Sequence, residues 1–463
     1  MSAETLSRDS VVYTIQRLFT LAALVGFMFV LRDGMALAET RPAPILATLA
    51  LGFLLVTSFI AGKIVFGIRL PRITGYILFG MIAGPSVLNL VTRVDLAQLR
   101  LIDDIAISLI ALSAGAELRL RELRPRMRSI LSIMTAEMIA VFLAIAGAVI
   151  LLADLLPFTA GRPLVAVAAI AVIFASIAIA NSPSVAIALI NDTRSRGPVS
   201  QTILSVTVIK DVVVVVLFAI ALSVTRTMLA PEAGFDVAFF REVSWEIGGS
   251  ILIGAIVGWL VAIYLRHVGA NMVLFTFAIA FINSTVAQEL HLEVLLVSLS
   301  AGFFLENVSP VQAEPFLEAV NRNSLPIYAL FFALAGANLE LALLRQLWPF
   351  ALGFAALRMA AIFAGTLAGA RLSGAEPVVR RYTWLGFVPQ AGVTLGMVII
   401  IARAFPAWGN DLQTLFVAMV AIHQIVGPVM LQYGLRKSGE IGQKGSARDR
   451  AERAAAAPSM ESA

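Results

Sequence analysis

The stretch SVTVIKDVVVVVLFAIAL, Ser205–Leu222, is long and apolar enough to cross a bilayer, yet it holds Lys210 and Asp211 side by side. A charge at the centre of an isolated membrane helix costs about 2.5–3.5 kcal/mol on insertion scales. Two adjacent charges therefore call for partners, or for a function that needs them. Adjacent helical residues point about 100° apart, so the pair cannot serve one narrow partner. One of the two can line a cavity while the other turns toward a neighbouring helix.

The rest of the chain supplies a membrane for this stretch. Of 463 residues 59% are hydrophobic and only 14% charged, with a mean hydropathy of +0.91. A soluble chain of this length needs more polar surface, so an integral membrane protein is expected. Apolar runs suggest fourteen spans, starting near Val11, Ile45, Ile73, Leu101, Ile130, Pro163, Gln201, Ser244, Ala270, Leu292, Leu325, Leu347, Thr383 and Leu412. No period-two pattern with polar lumen residues runs through them, which favours helices over a barrel.

With both ends inside, the inner segments hold sixteen Lys and Arg before the C-terminal tail is counted, and the outer ones nine. That bias predicts cytoplasmic termini in a cell (inner) membrane. Ala36-Leu37-Ala38 fits a signal-peptidase site, but Arg32 and Asp33 beside it argue for a retained helix. Residues 1–44 are thus read as an added helix and loop, 45–435 as the transmembrane domain, and 436–463 as a disordered cytoplasmic tail. The tail is too short for a regulatory nucleotide-binding domain.

Several chemistries have no residues to run on. There is no cysteine, so no disulfide, thiolate metal site or thiol catalysis is available. The three histidines are scattered, and no Walker-type loop, GxSxG elbow or HExxH occurs. The formal charge of +5 lies mostly in loops between apolar runs and is no nucleic-acid signature. Neither an enzyme nor a cofactor is expected.

Internal similarity gives the architecture. AGAELRLREL from Ala114 and AGANLELALL from Ala335 share six identities, and the ungapped extension sets Glu137 opposite Arg358. AGPSVLNL at Ala83 echoes AGFFLENV at Ala301. If the repeats begin at the third and tenth spans, the odd offset turns the second copy upside down. The fold expected is an all-α polytopic protein of two five-helix inverted repeats, about 73–228 and 292–435. In each repeat the fourth helix is interrupted, at Asn181-Ser182-Pro183 in one and at Pro389-Gln390-Ala391-Gly392 in the other. Proline removes a donor and blocks a carbonyl, which mid-membrane backbone tolerates only where protein or a wet cavity satisfies it. The two readings are simple kinks, or paired discontinuous helices at a binding site; the polar Asn181, Ser182 and Gln390 favour the second.

Four ionisable residues fall deep: Glu137, Lys210, Asp211 and Arg358. Burial and a neighbouring cation act in opposite senses on a carboxylate's hold on its proton, a balance that suits exchange of a proton for a metal cation. Asp211 is assigned that role. Lys210 holds Asp211 ready, pairs elsewhere, or itself loses a proton when desolvated. Glu137 and Arg358 are expected to pair near the pseudo-axis; otherwise each satisfies a separate polar group. Asp103, Asp104, Glu117 and Glu306 are read as charges at span ends.

The stretches TGYILFGMIAGPSVLNLV, ALSAGAELRLREL, NSPSVAIALINDTRSRGPVSQTILSVTVIKDVVVVV, LVSLSAGFFLENVSP, LFFALAGANLEL and GFVPQAGVTLGM resemble the monovalent cation:proton antiporter superfamily. The similarity is greatest to its Kef-type and NapA-like sodium/proton exchanger domains, over about residues 45–435. The resemblance implies crossed broken helices in a mobile six-helix core that moves against a dimerising panel. It also implies exchange of a monovalent cation for protons by a homodimer. It carries the essential cation- and proton-binding aspartate onto Asp211, with the transported metal ion as substrate. It carries a basic partner onto the helix of Arg358, and the crossover onto Asn181, Ser182, Pro183, Pro389, Gln390 and Gly392. Lys210 departs from the family, where Asp or Asn commonly precedes the aspartate, so ion choice and stoichiometry stay open. Two other readings remain open. One is a sodium-coupled carrier of organic anions, with Lys210 and Arg358 holding a carboxylate; the other is a non-transporting membrane sensor or scaffold.

Overall fold

A computed structural model describes residues 3–36, 43–68, 70–229, 237–311, 313–339, 341–390 and 392–443. Among these there is no β-strand. In lipid every backbone donor and acceptor needs a partner within the segment, and the helix provides one. The chain opens with α1 (Ala3–Ala36), α2 (Ala43–Gly67), α3 (Arg72–Ala83), α4 (Arg93–Gln98), α5 (Arg100–Glu117), α6 (Leu120–Leu123) and α7 (Met127–Leu151). Then come α8 (Leu164–Ala178), α9 (Pro183–Asp192), α10 (Pro198–Leu229), α11 (Val237–His267), α12 (Met272–Glu289) and α13 (Val294–Asn307). The last five are α14 (Glu314–Ala337), α15 (Leu341–Leu372), α16 (Pro377–Tyr382), α17 (Gly392–Ala404) and α18 (Gly409–Lys437).

Nine helical stretches among the described residues are long and apolar enough to cross a bilayer, and four shorter helices are also apolar. Helix α5 escapes that criterion because Arg100, Asp103, Asp104 and Glu117 all lie within it. Several expected starts fall inside longer helices, Val11 in α1 and Ser244 in α11 among them, and two fall beside prolines. The run expected from Leu325 lies inside α14, which carries Pro326 within the helix. The run expected from Leu347 lies inside α15, where Leu347 itself departs from helical geometry two residues before Pro349. In both cases the proline lies within a longer helix rather than in its first turn, and at Leu347 the helix is kinked.

The helices form two packed groups. In one, α15 lies against α7 and α18, with α8, α10 and α17 filling in; in the other, α13 lies against α5 and α11, and α14 against α3. Phe174 of α8 anchors the first group, its ring 5.0 Å from that of Phe354 in α15 and 4.4 Å from that of Phe416 in α18. In the second group backbones touch. A methyl at Gly84 would meet the Ala337 carbonyl oxygen at 2.7 Å, and one at Gly302 would meet the Ala116 nitrogen at 2.7 Å. Only glycine permits that approach.

Arg32 near the end of α1 pairs with Asp95 at 3.0 Å and ties the added helix to α4. At the other end, the segment assigned to the disordered tail is in part ordered. Helix α18 runs to Lys437, and buried Glu440 accepts hydrogen bonds from the backbone of Val199 and Ser200, each at 2.7 Å. These amides open α10 and have no intrahelical acceptor, so a carboxylate from beyond α18 caps the helix that bears Asp211. Residues 436–443 of the expected tail are thus ordered; residues 444–463 lie outside the described residues.

Candidate functional site

Both expected interruptions occur. Helix α8 stops at Ala178, residues 179–182 run outside α-helical structure, and α9 restarts at Pro183, whose missing N–H costs nothing in the first turn. A short 3₁₀ helix, Thr383–Phe387, precedes Val388, Pro389 and Gln390, and α17 begins at Gly392; Ala391 lies outside the described residues. The two breaks touch each other: the Ser182 amide donates to the Pro389 carbonyl at 2.8 Å. Each proline break is thus partly satisfied by the other.

Arg358, fully buried in α15, completes the junction. Its Nε donates to the Ala178 carbonyl at 2.7 Å, Nη2 to Ala180 at 2.6 Å and Nη1 to Val388 at 2.9 Å. Carbonyls at a helix C-terminus carry the negative end of the helix dipole. A planar guanidinium with five fixed donors can hold carbonyls of both interrupted helices at once.

This geometry corrects the expected Glu137–Arg358 ion pair. Glu137 instead pairs with Lys210, Nζ to Oε2 at 2.7 Å, and both side chains have no solvent exposure. The repeat alignment put Glu137 and Arg358 in one column, but column does not fix side-chain direction. Arg358 reaches the broken backbones, while α7 turns Glu137 toward α10. Lys210 also has the Phe387 ring centroid at 5.9 Å. Of the roles open to Lys210, the structure shows the pairing elsewhere: it is engaged with Glu137 and is not on the cavity wall.

Asp211 faces the other way. It lines a cavity of about 950 Å³ between the two helix groups, together with Asn181, Ser182, Pro183 and Ser184 of the first interruption. Pro389 and Gln390 are not on its wall, and Gln390 is wholly buried with neither side-chain polar atom paired. Charged residues of both signs from the other helices also line the cavity: Asp103, Glu246 and Glu293, with Arg93 and Arg100. In the sequence Asp103 reads as a charge at a span end. Glu293, at the cap of α13, and Glu246, near the start of an apolar run, do not stand out, because charges are common at such places. Glu293 does double duty, because it also caps α13 through the Leu296 amide at 2.5 Å. Among the described residues no group of three or more His, Asp or Glu forms a resident metal site.

An all-helical membrane protein with touching interrupted helices, and an Asp211 carboxylate on a cavity wall beside the buried Lys210–Glu137 pair, has the form of a transporter. The sodium/hydrogen exchanger transmembrane family matches residues 51–437, and the chain belongs to it. Among curated proteins it is similar to the Na(+)/H(+)-K(+) antiporter GerN of Bacillus cereus, 24% identical over 83% of this chain and 95% of that one. Among solved structures it is similar to the sodium proton antiporter MjNhaP1 of Methanocaldococcus jannaschii at pH 8. That match has a TM-score of 0.58 and 16% identity, over 85% of this chain and 96% of that one.

Proposed function

We propose that the protein is a secondary antiporter that exchanges a monovalent cation, Na⁺ or K⁺, for protons by alternating access, with Asp211 holding one or the other. The observation that carries this reading is the split at positions 210 and 211. Lys210 is consumed by Glu137, whereas Asp211 is left on the wall of a cavity. A carboxylate binds a cation only when deprotonated. Two substrates that compete for one oxygen pair cannot leak together, and that exclusion couples their flows.

The finer architecture follows the same reading. Fourteen crossing segments form two inverted five-helix repeats, the first from α3 to α10 and the second from α13 to α18. The reciprocal contacts Gly84–Ala337 and Gly302–Ala116 support this, because the repeat alignment exchanges one contact for the other. The first helix group is the moving core, and the second is the panel through which two copies pair. With both termini cytoplasmic in a cell membrane, the cavity, lined by the N-terminal ends of α5 and α18, opens outward.

The organic-anion reading assigns the carboxylate to Arg358 and Lys210, but both are fully buried, engaged with carbonyls and with Glu137, and absent from the cavity wall. The wall does carry Arg93 and Arg100, yet the carboxylates Asp103, Asp211, Glu246 and Glu293 outnumber them, which favours a cation.

Purified protein in liposomes with an internal pH dye tests the proposal. Addition of NaCl or KCl alone is expected to shift the internal pH, and Asp211→Asn, still folded, is expected to give a flat trace. Competition predicts that the half-saturating cation concentration rises about tenfold per pH unit once protons dominate the site. Undiminished exchange by Asp211→Asn would falsify the assignment. Repeating the assay with valinomycin reads the stoichiometry that Lys210 leaves open.

A further inference from the structure

We propose that Gln424, on the last membrane helix, supplies a neutral oxygen to the transported cation and so sets which ion is carried. The inference rests on the antiport reading above and deepens it.

The position of Gln424 follows from backbone contacts. A methyl at Gly427 would lie 2.8 Å from the Pro389 Cα, and the Pro389 carbonyl in turn accepts from Ser182. The turn of α18 just before Gly427 therefore stands at the level where the interrupted helices touch. Gln424 occupies that turn and lines the same cavity as Asp211, Asn181 and Ser182. Only 4% of its surface is exposed, and its Oε1 makes no hydrogen bond. Asn181, 3% exposed, likewise has an unpaired Oδ1, although its Nδ2 reaches Thr207 Oγ1 at 3.4 Å.

Two buried amide oxygens without partners on the wall of one cavity are costly unless something else satisfies them. A glutamine kept only for packing pairs its amide or gives way to methionine of similar shape. A cation that sheds part of its water needs such oxygens. Amide and hydroxyl oxygens replace hydration, and their number and field strength discriminate between ions of equal charge. A proton on Asp211 needs none of them. Gln424 therefore acts on the cation side of the exchange, while Asp211 serves both passengers.

That asymmetry sets the test. The half-saturating concentrations of NaCl, KCl and LiCl are measured in liposomes, alongside the melting-temperature rise each salt gives the purified protein. In Gln424→Met the preferred cation is expected to need about tenfold more salt in both measurements, with the order of the three ions changed. Gln424→Asn, which keeps the amide but draws it back by one methylene, is expected to change the order as well. It decides the matter by the same measurements if Gln424→Met elutes as aggregate. Unchanged half-saturating concentrations and unchanged ion order overturn the proposal. Exchange that survives in Asp211→Asn overturns the antiport reading instead, whatever the Gln424 variants do.

Discussion

Lys210 and Asp211 are neighbours in the chain, and α10 sends them into different worlds. Lys210 lies in a closed compartment behind the helix crossing, its ammonium 2.7 Å from Glu137 and without solvent exposure. Asp211, one residue on, faces a cavity shared by both helix groups. The same burial cost is met in two ways. A charge offset by a protein partner becomes part of the scaffold; one offset by water and ions is left free to exchange them. The comparison teaches that a membrane charge is to be judged by what faces it, not by its depth.

The compartment behind the crossing is the place to break that comparison hardest. Arg358→Met strands three buried carbonyls, each worth about 1–3 kcal/mol when left unpaired, and is expected to abolish folded protein on size exclusion. Accumulation of that variant at wild-type levels and melting temperature would show the crossing to stand without the guanidinium. Next come Glu137→Ala and Lys210→Met, each leaving one buried charge without its partner at a cost of about 3–5 kcal/mol. The double variant Glu137→Met/Lys210→Met is expected to recover most of the loss in thermal melts. It is also expected to keep salt-driven exchange, because Lys210 has no place on the cavity wall. Loss of exchange in a stable double variant would move Lys210 into the ion path and erase the contrast with Asp211.

The smallest effect lies at the far end of α10. Glu440→Ala removes a carboxylate cap from its first turn, a change worth about 0.5–2 kcal/mol. A melting temperature lower by a few degrees, with half-saturating salt unchanged, is the expected outcome. A shift in cation affinity there would mean that the cap positions Asp211 as well as holding the helix end.

Much of this was legible in the chain. Composition alone gave the membrane, because apolar run length is a direct measure of bilayer thickness. The interruptions at Pro183 and Pro389 were visible because proline cannot continue the hydrogen-bond ladder. Family resemblance and depth both pointed to Asp211. The partner of Glu137 was not legible: alignment pairs positions related by the repeat, and a salt bridge pairs side chains that point at each other. Glu293, Glu246 and Gln424 did not stand out for a similar reason, and Asp103 read only as a span-end charge. At a helix end or on an apolar helix each reads as ordinary, until a second helix group closes a cavity over it. Glu440 was read as tail because nothing local reveals an acceptor for two amides some 240 residues earlier.

By itself the sequence determined what kind of solvent the chain lives in, where its helices must break, and which carboxylate stands exposed to question. Those properties are local, written in run length, proline and charge. Tertiary structure decided which charges cancel, which carbonyls Arg358 gathers, and which polar groups share a cavity with Asp211. These depend on the direction of side chains on helices far apart in the chain, and direction is fixed only when the helices pack.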